Sequence, residues 1–122
     1  MMPEKKFRFA SDAAGREYKK LPANIQKDFG SSLNLVQNNI KPFLPITQLS
    51  SIGAGVFELK IQGSPAYRCV YIAKYANTVF VLHSFVKTTN KTDQQAINTA
   101  TKRYKELMAK LSAIANRNKS GK

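Results

Sequence analysis

The sequence predicts an α+β domain in which an N-terminal helix hairpin packs on a small antiparallel sheet, with a C-terminal helix after it. Three observations carry the prediction. Ile25, Phe29, Leu33, Val36 and Ile40 recur at spacings of four, four, three and four, which is one apolar helical face. From Phe57 the period changes to alternation, apolar at Phe57, Leu59 and Ile61 against Glu58 and Lys60. A helical period returns with Ile97, Ala100, Tyr104, Leu107, Met108, Leu111 and Ile114. At 122 residues the chain fits one domain spanning 1–122, because either half would be too small for an ordinary core.

Each element has its own signals. Lys6 to Phe9 alternates as a short strand. Ser11-Asp12 caps a helix over about Ala13 to Lys20, and Leu21-Pro22 interrupts it, since the residue before proline is pushed out of the α region. Pro22 opens the second helix. Gly30 inside that helix costs about 1 kcal/mol relative to alanine, which implies close packing or a weakened turn. Residues 41 to 55, with Pro42, Pro45, Gly53 and Gly55, show neither period and read as a connecting loop. Gln62-Gly63-Ser64-Pro65 turns the chain into a second strand over Ala66 to Lys74. That strand places Tyr67, Cys69 and Tyr71 on one face and Arg68, Val70 and Ile72 on the other. Ala76-Asn77 turns it again into a strand over Val79 to Val86, apolar on both faces at its start. Thr92 with Gln95 forms a capping box for the last helix, and residues 116–122 read as a flexible basic tail.

Charge narrows the function classes. Twenty Lys and Arg stand against seven Asp and Glu, a formal net charge of +13. The first 61 residues carry net +4 and the remainder net +9, so the positive field belongs to the second half. Nucleic acid, an acidic membrane face and an acidic protein are its usual targets. The longest uncharged apolar run falls far short of the ~20 residues of a spanning helix, and the N-terminus has no apolar signal region. One cysteine and one histidine exclude a disulfide within the chain and a structural zinc site, so no metal and no cofactor is expected. A reducing, cytoplasmic setting fits. Phosphate-binding loops, dinucleotide fingerprints and the nucleophile elbow are missing from the sequence. What remains is a cationic set, Arg68, Lys87, Lys91 and Arg103, suited to gripping an RNA phosphate and stabilising the charge that builds when a 2′-hydroxyl attacks it.

The ordered segments Gly55-Val56-Phe57-Glu58-Leu59-Lys60, Tyr67-Arg68-Cys69-Val70-Tyr71, Val81-Leu82-His83-Ser84-Phe85-Val86-Lys87 and Lys91-Thr92, followed by Ala100 and Arg103, resemble the motifs of the RelE/ParE toxin superfamily. The similarity is to its phage-derived, HigB-like branch. Three positions depart from that pattern: Thr88 replaces a second lysine, Asp93 a proline, and Lys60 an arginine, whose bidentate fork is thereby lost. The resemblance implies a toxin of a type II toxin–antitoxin pair, acting as a metal-independent mRNA endoribonuclease associated with the ribosome. Its partners would be mRNA and a small cognate antitoxin with a helix-turn-helix pattern, and not a membrane. Two alternatives stay open: a non-enzymatic inhibitor of DNA gyrase of the ParE kind, and a basic RNA-binding protein without catalysis.

The catalytic candidates are Arg68, Lys87, Lys91 and His83; the RNA-binding candidates are Lys60, Tyr71, Lys74 and Arg103. Arg68 is either a phosphate ligand or the ion-pair partner of Glu58 on the adjacent strand. His83 alone has an ordinary pKa near neutrality, yet it lies in an apolar strand where a structural role is the plainer reading. Tyr71 either stacks on bases or belongs to the core. Glu58 reads better as the orienting partner of Arg68 than as a base.

Overall fold

The computed structural model describes residues 4–88 and 93–120. The chain runs β1 (Lys6–Phe9), α1 (Asp12–Lys19), α2 (Ala23–Gln37), β2 (Ile46–Gln48), β3 (Val56–Ile61), β4 (Ala66–Ile72), β5 (Thr78–Lys87) and α3 (Gln94–Ser120). The strands form one five-stranded sheet in the order β1-β5-β4-β3-β2. β2 to β5 pair antiparallel, but β1 lies parallel to β5. The sheet is therefore mixed, not antiparallel as the sequence predicts. Local alternation marks β1 as a strand but cannot choose its partner, which lies some seventy residues away: Lys6 pairs with Thr78.

Helix boundaries follow local chemistry. The Ser11 side chain accepts from the Ala14 amide at 3.1 Å and starts α1. Gln26 donates through its amide to the Lys19 and Leu21 carbonyls, which closes the junction between the first two helices. α2 ends earlier than its apolar spacing predicts. Asn39 adopts φ 63°, while the Ile40 amide donates to Leu35 O and the Asn39 amide to Val36 O. This pair of bonds satisfies the last carbonyls of α2, with asparagine in the left-handed position. Ile40 thus leaves the helix and is 55% exposed. Thr92 lies outside the described residues. The cap seen at α3 is Asp93, whose carboxylate accepts from the Ala96 amide at 3.1 Å. The segment read as a loop at 41–55 contains β2, paired with β3 from Ile46 opposite Leu59 to Gln48 opposite Phe57. α3 continues through Ser120, so the tail segment from Asn116 is helical that far.

The sheet carries a core on each face. On one, Ile25, Phe29 and Leu33 of α2 pack with Leu59, Cys69, Tyr71, Val79 and Val81. On the other, Ala100 and Leu107 of α3 pack with Val56, Val70, Ile72, Phe80 and Leu82. β5 is buried on both sides because helices cover both. Gly30 meets the packing expectation, since a side chain there would come within 3.2 Å of the Tyr18 hydroxyl, which itself donates to Gln26 O.

An irregularity in β5 positions the site. Tyr71 pairs with Val81, but Val70 pairs with His83, which leaves Leu82 as an extra residue. Below this bulge Val81 faces the α2 side with Tyr71. Above it, His83 and Phe85 sit opposite Val70 and Arg68 on the α3 side, while Ser84 turns to Cys69, with Oγ 3.7 Å from Sγ. Uninterrupted alternation from Val81 would have sent His83 to the tyrosine face, away from Arg68.

Candidate active site

Cross-strand register assembles two adjoining rows on the α3 face of the sheet. One row is Glu58, Val70 and His83; the next is Lys60, Arg68 and Phe85. Lys87, opposite Ala66, extends the same face toward the β3–β4 turn. Like charges directly opposite each other destabilise a sheet, and Lys60 is the direct partner of Arg68. An anion bound there would relieve that repulsion.

Arg68 is held firmly. Its guanidinium is buried, donates to Tyr67 O at 3.0 Å, Ile61 O at 3.4 Å and Gln62 Oε1 at 3.2 Å, and its Nε lies 3.8 Å from Glu58 Oε1. These bonds tie the strand arginine to the turn that follows β3. The ion pair with Glu58 and a position on the cavity wall are therefore both realised. That cavity, of about 480 Å³, is lined by Gln62 to Ala66, Arg68, Lys87 and Thr88. It falls within the size range of small-ligand sites. Burial pushes the Glu58 carboxyl above its ordinary value of 4.5, against the pull of Arg68, Lys87 and Lys60.

A second group sits at the end of the first row. Glu17 of α1 accepts a two-pronged bond from Arg103 of α3, at 2.6 Å to Oε1 and 2.7 Å to Oε2. His83 Nδ1 lies 2.8 Å from Glu17 Oε1. Arg103 also donates to Leu82 O at 3.1 Å, on the strand that β1 pairs only as far as Val81. Burial opposes the charged form of Glu17, but the bonds and charges of Arg103 and His83 prevail and hold its pKa below the ordinary glutamate value. The His83 ring stacks on Phe85, with centroids 4.9 Å apart.

The predicted residues thus divide. Lys60, Arg68, His83 and Lys87 lie on one face of the sheet, with Lys60, Arg68 and Lys87 around Glu58 and Arg103 beside His83. Tyr71 does not join them: it is 3% exposed in the opposite core, where burial pushes its phenol up to about 12. Its alternation with Tyr67 reflects the core. Lys74 follows the far end of β4, beside Gly55 and Tyr75, away from the cluster. Lys91 lies outside the described residues. Glu17 was not among the predicted residues. The one signal for it is an acid between Arg16 and Lys19 in the last turns of α1, in a chain with few acids.

The fold and this polar face define an α+β protein with a cationic surface on one side of its sheet, on which Glu58 and His83 also stand. Residues 16–105 match the family described as "Phage derived protein Gp49-like (DUF891)", and the chain belongs to that family. It is a toxin-like family within the RelE/ParE-like toxin group, which makes an antitoxin the natural kind of partner. No curated protein matches the chain. Among the described residues no helix is long and apolar enough to cross a membrane.

Proposed function

We propose that this protein is a HigB-like toxin that cleaves mRNA on the ribosome without a metal ion and is silenced by a small helix-turn-helix antitoxin. The observation that carries this reading is the clustering of Lys60, Arg68 and Lys87 around Glu58, on the same face of the sheet as His83. The cations suit a phosphate, and the two titratable groups suit the two proton transfers that RNA cleavage requires.

In the step itself the 2′-oxygen attacks phosphorus and gives up its proton, the bond from phosphorus to the 5′-oxygen breaks, and that oxygen takes a proton. The products are a 2′,3′-cyclic phosphate and a 5′-hydroxyl. Arg68 and Lys87 would hold the phosphate and stabilise its extra charge. His83 would accept the first proton, and Glu58, whose pKa burial raises, is the group placed to supply the second. Their backbones are two strand spacings apart, about 10 Å. Lys60, Arg103 and Lys91 complete the proposed contacts.

The test is mapping of RNA 5′ ends after adding purified protein to RNA alone and to translating ribosomes. New ends bearing 5′-hydroxyls are expected, and Lys87→Ala should lower their yield roughly tenfold or more, as for loss of one charged hydrogen bond. Unchanged RNA in both settings refutes the reading. Intact mRNA with accumulated DNA–gyrase cleavage complexes would point to gyrase inhibition instead.

A further inference from the structure

The bond between His83 and Glu17 fixes more than the position of the ring. Each Arg103 Nη carries two protons. Those on Nη1 are taken by Glu17 Oε1, at 2.6 Å, and Leu82 O, at 3.1 Å. The Nη1 contact to His83 Nδ1, at 3.3 Å, is the longest of the three, and with two protons Nη1 can serve it only by sharing one already given to a shorter bond. Glu17, with its lowered pKa, is a carboxylate and only accepts. The 2.8 Å contact between Oε1 and Nδ1 therefore requires the proton to be on Nδ1. In the neutral ring, Nε2 then carries the lone pair.

Nε2 also remains reachable. No bond from it to a described residue occurs, and among the described residues no buried side-chain nitrogen or oxygen lacks a partner. Nε2 therefore keeps an edge to solvent, although His83 as a whole is only 9% exposed. Phe85 stacked on the ring limits its rotation from one side.

We infer that Glu17, braced by Arg103, is a positioning residue that locks His83 in its Nδ1–H tautomer and presents a bare Nε2 to the cationic face as the proton acceptor. The inference rests on the ribonuclease reading for its catalytic use. In that use the proton of the attacking 2′-hydroxyl passes to Nε2 as the oxygen bonds to phosphorus. The imidazolium that forms is held against the Glu17 carboxylate, the service a buried acid performs for a catalytic histidine elsewhere. The 5′-oxygen leaves with the proton of Glu58, and solvent returns a proton from His83 to Glu58.

With a single histidine in the chain, an untagged sample gives one imidazole pattern in a long-range proton–nitrogen spectrum. Wild type should show protonated Nδ1 and bare Nε2; an Nε2–H or averaged pattern overturns the inference. Glu17→Ala should lose the Nδ1–H preference and lower kcat for RNA roughly tenfold or more at little-changed KM. Glu17→Gln, which keeps an acceptor oxygen, should retain the tautomer and recover part of kcat. Wild-type kcat in Glu17→Ala, or a loss confined to KM, overturns the inference even if that variant is destabilised. An Nε2–H ring with RNA cleavage intact sinks the role of Glu17 alone. An Nδ1–H ring without any RNA cleavage sinks the ribonuclease reading, and with it the catalytic use of the ring.

Discussion

Replacing Arg103 with methionine keeps the apolar stem of the side chain but removes its fork. Lost are two short bonds to the Glu17 carboxylate, at 2.6 and 2.7 Å, and one to the Leu82 carbonyl, at 3.1 Å. Bonds to a charged group contribute about 1.5–3 kcal/mol each when truncated, and a neutral carbonyl bond about 1 kcal/mol. The Glu17 side chain is 28% exposed, so water re-solvates part of it and the sum must be discounted. The expected cost of Arg103→Met is about 2–3 kcal/mol, or roughly 8–12 °C in Tm for a domain of this size. Urea unfolding of the two proteins measures it. The pH dependence has a definite sign. Glu17 titrates lower in the folded chain, so the stability it contributes is full above its ordinary value of 4.5 and is lost as pH falls through the lower folded value. The gap between wild type and Arg103→Met should be full at pH 6–7 and shrink toward pH 3. A gap below about 0.5 kcal/mol at neutral pH, or one unchanged in acid, refutes the idea that this ion pair joins α1 to α3.

Glu58 carries the opposite sign: its folded pKa is raised, so it favours folding below its ordinary 4.5 and this is lost as pH rises through the folded value. Glu58→Gln should therefore unfold at a higher urea concentration than wild type at pH 7 while losing RNA cleavage. A destabilised Glu58→Gln would show that the ion pair with Arg68 outweighs burial. Gly53 packs beneath α3, and a Cβ there would lie 2.3 Å from the Tyr104 Cζ. Gly53→Ala should cost about 1–3 kcal/mol by overpacking, and much less in a Tyr104→Leu background; an equal cost in both backgrounds excludes the ring as the cause.

Much of the fold is legible because its signals are local. Helical spacing in α2 and α3, alternation in β3 and β4, the Ser11 cap and the turns at 62–65 and 76–77 depend on neighbours a few residues apart. The end of α2 eluded the apolar spacing because Asn38 and Asn39 stop the helix one turn before the pattern does. β2 is three residues long and flanked by prolines and glycines, too short for alternation to be counted. Among site residues, Arg68, Lys60 and Lys87 are recognisable by charge at strand positions. Tyr71 misled because an aromatic on an alternating strand looks the same whether its face meets solvent or a second layer.

By itself, then, the sequence determined the element types, the basic second half and the face of β4 that carries Arg68, because charge and period are properties of short stretches. Tertiary structure alone decided that β1 joins the sheet parallel to β5, and that α1 meets α3 through Glu17 and Arg103, residues 86 apart in the chain. It also decided the side on which His83 stands. One extra residue at Leu82 turns the ring from the tyrosine face to the arginine face, and a single-residue change of register reverses every side chain beyond it.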